Sequence, residues 1–366
     1  MSARVVVGAA ALVVLATSCG STERRLDGDL LIRADRMFDG RTFVAPGAVL
    51  VRGGRIVAAG RSLRARAPKT IDLGDATILP GVVDLHVHGT TAETIRGGVT
   101  TVRNLGAPLG YLRLPRREFD VRVLKAGPLV TVPGGYPEPV WGSRQALEVS
   151  TPAEARRAVR MLARRGADVI KIALETLFGP WPTLTVPEIR AIVAEAHAQR
   201  LDVTAHAMGS RGAALAVMGG VDELAHTPCG ATDDTIRTLV RRHVPVVATL
   251  HVELAFGGCN EVARRFHALG GRLLYGTDAG NRGIPFGIDV EELRLLRAVG
   301  LTPTQILAAA TSQAANEAGL APLGTLTPNA PADVIAVRGD ARRLRDDLAR
   351  PLLVVSGGRV VVDRVR

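Results

Sequence analysis

The chain has 366 residues, 47% of them hydrophobic, with 40 glycines but only two Trp, three Tyr and seven Phe, so it can bury one large aliphatic core beside a smaller companion. Its formal charge of +11 rests almost wholly on arginine, for only Lys69, Lys125 and Lys171 are lysines among 46 basic residues. Arginines such as Arg156, Arg157, Arg160, Arg164 and Arg165 are spread over a helical face without interleaved aromatics, which argues against a nucleic-acid-binding surface.

The N-terminus opens with Arg4 and an apolar run from Val5 to Ala16, too short to span a bilayer but suited to a secretory signal. It ends Leu15-Ala16-Thr17-Ser18-Cys19, similar to a bacterial lipobox, with Ala16 where leucine is usual. The expectation is export, with Cys19 lipidated and anchoring the protein to the cell envelope; simple cleavage of the leader is the alternative. That leaves Cys229 and Cys259, read as buried free thiols rather than as a pair, although an oxidising compartment would permit pairing.

Residues 27–79 read as short strands separated by turn signals such as Asp39-Gly40 and Gly53-Gly54, and residues 323–366 repeat that style. Both ends are expected to build one small β-sandwich domain. Between them, residues 80–322 alternate strand and helix. Helix starts are marked at Thr151-Pro152-Ala153-Glu154, Thr185-Val186-Pro187-Glu188 and Thr302-Pro303-Thr304-Gln305, each with a capping threonine and a Glu or Gln three residues on. Strands are expected at 83–88, 99–105, 124–132, 169–173, 202–206, 221–226, 244–250 and 272–278. Eight strands in about 240 residues match an α/β fold of the (β/α)8 TIM-barrel type. A doubly wound open sheet is the runner-up, but no glycine-rich phosphate loop follows the first strand.

Lys171 is the most informative residue. It lies in the apolar run Ala167-Asp168-Val169-Ile170-Lys171-Ile172-Ala173-Leu174, where a cation is costly. Arginine cannot shed its proton there, whereas a desolvated lysine can become a reactive neutral amine. His86 and His88 alternate on the first strand and so share one face. His206, His226 and Asp278 stand at the ends of the fifth, sixth and eighth strands. Singly, each has a structural reading: a hydrogen-bonded core histidine or a helix cap. Jointly they lie where barrel active sites are assembled, at strand C-termini, and they point to a metal site with Lys171 among its ligands.

Leu79-Pro80-Gly81-Val82-Val83-Asp84-Leu85-His86-Val87-His88, the Lys171 strand, the two histidine strands, Gly276-Thr277-Asp278-Ala279-Gly280 and the tail from Leu323 to Val334 together resemble the amidohydrolase superfamily. The closest look is to its imidazolonepropionase-related, Xaa-Pro-dipeptidase-like branch. The resemblance implies a Lys171 carboxylated by carbon dioxide and bridging two divalent ions, best suited to zinc. His86, His88 and Asp278 would complete one ion, and His206 and His226 the other. It also implies that Asp278 takes a proton from the attacking water and passes it to the leaving nitrogen. Two departures alter the pocket rather than the ligands: the segment from Gly89 to Gly97 is short, and Asn104 stands where the branch commonly has aspartate.

Tyr136 and Trp141, on the loop after the third strand, with Trp181 and His251, are candidate substrate contacts. His197, His243 and His267 read as surface residues. The leading expectation is a two-metal amidohydrolase acting on a small molecule, a dipeptide or an N-acyl amino acid; self-association is compatible with it. A one-metal deaminase or cyclic-amide hydrolase is the enzymatic alternative, and a non-catalytic periplasmic binding protein the alternative of another class.

Overall fold

The computed structural model describes residues 26–365, so the leader and Cys19 lie outside the described residues. Among those described, no helix is long and apolar enough to cross a membrane.

The two chain ends meet in one sandwich. A four-stranded sheet runs in the order Arg55–Gly60, Gly47–Arg52, Leu30–Ala34 and Lys69–Asp72. A six-stranded sheet runs Arg359–Asp363, Leu353–Ser356, Val334–Arg338, Ala76–Pro80, Arg36–Phe38 and Phe43–Val44. Leu30, Ile32, Val49 and Ile71 from the first sheet pack against Ile78, Val334, Leu353 and Val355 from the second in one aliphatic core. The strand Ala76–Pro80 leads directly into the barrel, one residue before its first strand.

The barrel strands are Val82–Val87, Val99–Asn104, a third in two pieces (Val121–Lys125 and Leu129–Thr131), Ile170–Ala173, Val203–His206, Glu223–Leu224, Val246–Val247 and Leu273–Leu274. All neighbours pair in parallel. Buried on both faces, these strands carry nearly unbroken apolar runs, as parallel strands require. The third strand is not the single run expected over 124–132. It breaks at Ala126-Gly127-Pro128, where Gly127 has φ +79° and Pro128 has no N–H to give to the ladder. The barrel closes where Asp278 N–H donates to His86 O at 2.8 Å and His88 N–H donates to Ala279 O at 2.6 Å. At the opposite end Ala314 and Ala315, on the helix Ser312–Glu317, plug the interior against Val83, Leu85, Val247 and Leu274.

The capping residues behave as their chemistry demands. Thr151 Oγ1 accepts from Glu154 N–H at 3.2 Å, and the Glu188 carboxylate accepts from Thr185 N–H at 2.7 Å. One expectation is overturned: Cys229 and Cys259 are not free thiols but a disulfide, with Cα atoms 4.8 Å apart. The loops after the sixth and seventh strands bring the two together, within the range a disulfide spans.

Candidate metal centre

At the C-terminal mouth of the barrel four imidazoles stand in a row. Ring centroids lie 5.2 Å apart for His88 and His86, 4.5 Å for His86 and His226, and 4.6 Å for His226 and His206. Asp278 Oδ1 sits 3.0 Å from His88 Nε2 and 3.3 Å from His86 Nε2. His86, His88 and Asp278 by themselves form a tight group, with ligand atoms within 4.8 Å of one another; neither His206 nor His226 belongs to that group.

Two glycines allow this packing. A Cβ on Gly276 would come within 2.3 Å of Val247 Cγ1 and 3.1 Å of His86 Cβ, and one on Gly280, at φ +112°, would meet His88 O at 2.7 Å. Asp278 itself adopts φ +61°, which aspartate tolerates better than most residues. Behind them Asp84 pins the first strand to the eighth, accepting from His86 N–H at 3.0 Å, Thr277 N–H at 3.1 Å and Thr277 Oγ1–H at 2.6 Å. Burial raises its pKa to about 7 against those hydrogen bonds.

His86, His206 and His226 are neutral, and their tautomers follow from their partners. Burial, the largest cause in each case, lowers the pKa of His86, His206 and His226, and the Lys171 charge lowers all three further. His86 Nδ1 donates to Ala225 O at 2.8 Å and His88 Nδ1 makes a longer contact of 3.4 Å with Gly106 O. A carbonyl only accepts, so each Nδ1 carries a proton, and the neutral His86 ring offers its lone pair at Nε2. His206 is reversed: its Nε2 donates to Glu175 Oε2 at 2.7 Å, which leaves Nδ1 as the free lone pair. Burial alone would raise the Glu175 pKa, but His206 and the N–H groups of Leu177 and Phe178 outweigh it and hold the group as a carboxylate. His226 Nδ1 lies 2.9 Å from Thr249 Oγ1.

Lys171 is fully buried and its Nζ has no hydrogen-bond partner among the described residues; His86 Nε2 and Asp278 Oδ1 are likewise buried without one. Burial lowers the Lys171 pKa to about 7, with Asp278 opposing that shift and Arg103 adding to it. Arg103 in turn pairs with the buried Glu223 and donates Nε–H to Leu85 O at 2.9 Å, bracing the floor below the lysine. Three orphaned buried polar atoms, with imidazole lone pairs held by outer partners, fit divalent ions of the zinc type.

The aromatic expectations divide. Tyr136 stacks on the His206 ring at 4.5 Å and 22°, Trp141 meets His88 edge-on at 4.7 Å, and Trp181 lies 5.9 Å from Tyr136. These three join the metal centre, and a cavity of about 360 Å3 beside it is lined by His88, Gly106, Trp141, Gln145, Gly280 and Asn281. His251 is anchored separately, its Nδ1 bonded to Asp289 Oδ2 at 2.6 Å and its N–H to Glu292 at 2.7 Å. His197 is half-exposed and paired with Asp222. Asn104 shapes the turn beneath His88, its Oδ1 accepting from Gly106 N–H at 3.1 Å. Glu175, Thr249 and Gln145 escaped sequence reasoning; of these only Glu175, four residues beyond Lys171, carried a signal, as a carboxylate directly after a buried strand.

The fold and this site define a barrel hydrolase, and the amidohydrolase family description matches residues 77–363. The chain belongs to the amidohydrolase family, enzymes that hydrolyse carbon–nitrogen bonds. It is 29% identical over 327 residues to an uncharacterised protein of Mycobacterium tuberculosis, covering 77% of this chain and 84% of the relative. It is also 27% identical over 362 residues to an imidazolonepropionase of Deinococcus deserti, covering 83% and 88%. A crystal structure of an Xaa-Pro dipeptidase with bound methionine superposes with a TM-score of 0.81 at 22% identity, over 91% of this chain and 99% of that one.

Proposed function

We propose that the protein is a two-metal amidohydrolase that cleaves a dipeptide or an N-acyl amino acid. The observation that carries this reading is the solitary, deprotonatable Lys171 amine. Carbon dioxide adds only to a neutral amine, and a group with a pKa of about 7 is substantially neutral under physiological conditions. Carboxylated, Lys171 becomes an anion with two oxygens, which would bridge a position held by His86, His88 and Asp278 and one held by His206 and His226. Divalent ions held there would supply Lewis-acid polarisation of a carbonyl and acidify a water molecule to a pKa of about 7.

The chain's own groups do the rest. Asp278 accepts the proton of the attacking water and delivers it to the leaving nitrogen. Burial, with the Asp278 and Glu175 carboxylates, pushes the Tyr136 phenol upward, so its hydroxyl stays a donor at any working pH and is suited to the substrate carbonyl. Trp141 and Trp181 present apolar faces to a substrate side chain. The disulfide supports export, since such bonds persist in oxidising compartments; we place the enzyme at the bacterial envelope, held by lipid on Cys19.

The compact group His86, His88 and Asp278 favours a second reading, a one-metal deaminase or cyclic-amide hydrolase. Metal analysis of protein grown with added zinc, followed by a screen of dipeptides and N-acyl amino acids, tests both. Two ions per chain with amide hydrolysis are expected. A content that never exceeds one overturns the two-metal reading.

A further inference from the structure

The segment after the seventh strand holds a buried polar chain that the site does not absorb. Thr249 Oγ1 lies 2.9 Å from His226 Nδ1 and 3.0 Å from Glu253 Oε1, and Thr227 N–H donates to that same Oε1 at 2.9 Å. Glu253 is wholly buried and next to a second buried carboxyl, Glu292, whose charge adds to burial in raising the Glu253 pKa. Among the described residues Glu253 Oε2 and Glu292 Oε1 lack partners, whereas Glu253 Oε1 faces two donors, the Thr227 N–H and the Thr249 hydroxyl. Glu253 Oε1 is therefore an acceptor from both of its neighbours.

Counting donors then fixes the direction of the chain. The single hydroxyl proton of Thr249 goes to Glu253, which leaves the Thr249 oxygen able only to accept from His226. We infer that Thr249 and Glu253 are positioning residues that hold His226 as its Nδ1–H tautomer, so that Nε2 is the nitrogen presented to a metal. Thr249 adopts φ +49°, an uncommon backbone for a β-branched residue, and its two hydrogen bonds fix it there. The Cys229–Cys259 disulfide ties the loop after His226 to the segment after Glu253, and both sulfurs lie within 4.8 Å of a Glu253 carboxylate oxygen. The inference about the tautomer stands on this hydrogen-bond geometry alone, whereas its consequence for a second ion rests on the two-metal reading.

The test uses full-length, metal-free protein labelled with 15N-histidine, with the His226 signals assigned by their loss in His226→Gln. Wild type should show His226 as Nδ1–H. Thr249→Val, which keeps the shape but has no hydroxyl, should shift it toward the Nε2–H form that free imidazole prefers, and Thr249→Ser should restore Nδ1–H. In zinc titrations against a competing chelator, the second ion should bind about 10- to 100-fold more weakly to Thr249→Val than to wild type or Thr249→Ser. Wild type with His226 as Nε2–H, or Thr249→Val with Nδ1–H intact, overturns the inference. A wild type that binds one zinc ion overturns the two-metal reading instead, and the tautomer measured without metal still decides this one.

Discussion

Glu175 Oε2 accepts from His206 Nε2 at 2.7 Å, while the other oxygen of the same carboxylate accepts from the backbone N–H groups of Leu177 and Phe178. One buried anion thus sets the orientation of the His206 imidazole and folds the loop after the lysine strand. Glu175→Leu should weaken zinc binding by about 10- to 100-fold, the usual cost of losing an outer partner of a ligating histidine. Chelator-competition titration measures it. Wild-type affinity in a folded Glu175→Leu protein would remove Glu175 from the site.

Lys171→Ala should abolish hydrolysis and lower metal content, and acetate or propionate should restore part of both by placing a carboxylate where the carbamate stood. Lys171→Arg should not recover, since guanidinium stays cationic beside the metals. Lys125 shows what an ordinary buried lysine does here: its Nζ donates to Leu114 O at 2.7 Å, Pro115 O at 2.9 Å and Tyr111 O at 3.2 Å, and it has nothing left to offer. An active Lys171→Arg enzyme would refute the carbamate.

Much of this site was legible because strand chemistry is periodic. His86 and His88 two apart, and single polar residues ending apolar runs at His206, His226 and Asp278, stand out against residues that must otherwise be aliphatic. Thr249 was not legible, since its role depends on a loop conformation with no such period, and Glu175 showed only as a carboxylate just past a buried strand. The cysteine pairing failed for a related reason: Cys229 and Cys259 are 30 residues apart, and only the pairing of the sixth and seventh strands makes their loops neighbours. The break in the third strand was readable from Gly127-Pro128, yet the apolar residues on either side masked it. For His251 nothing in the sequence hinted at the Asp289 carboxylate that holds its Nδ1, because the two residues are 38 apart.

Tyr136→Phe keeps the ring that stacks on His206 and removes only the hydroxyl. If that hydroxyl donates to the carbonyl as charge develops, kcat should fall by roughly 100-fold, in the range for losing one such donor. Metal content should be unchanged. Steady-state kinetics on the best dipeptide or N-acyl substrate, with metal analysis of the same sample, checks both. An effect confined to KM would make Tyr136 a binding residue only.

Replacing both Cys229 and Cys259, 30 residues apart, by serine should cost about 3.6 kcal/mol of stability, the chain-entropy value for a loop of this length. For a protein of this size that corresponds to a fall in Tm of at least several degrees. Thermal unfolding followed by circular dichroism measures it. Thiol titration of unfolded wild type should find neither cysteine free before reduction.

The pH dependence of stability in the metal-free protein tests the electrostatics of Lys171 directly. Its pKa is about 7 in the fold and near 10.5 when unfolded. Between those values the unfolded chain binds the extra proton, so this residue makes the fold more stable as pH rises from about 7 toward 10.5, and contributes no further change below 7. The buried acids work the other way. Asp84, raised to about 7, and Glu292, raised to about 8, hold protons in the fold that they lose when it opens, so they favour stability at low pH and lose that effect as pH climbs through those values. The total slope therefore mixes opposing contributions, and the lysine has to be isolated by difference. Urea unfolding of wild type and Lys171→Met at pH 7 and pH 9.5 does this, because the acids cancel between the two proteins. Lys171→Met should be the more stable of the two at pH 7, with the gap narrowing at pH 9.5 as the proton preference of the unfolded amine weakens toward its pKa near 10.5. A gap that is constant with pH would mean that Lys171 titrates as an ordinary exposed lysine, and the basis for its carboxylation would be lost.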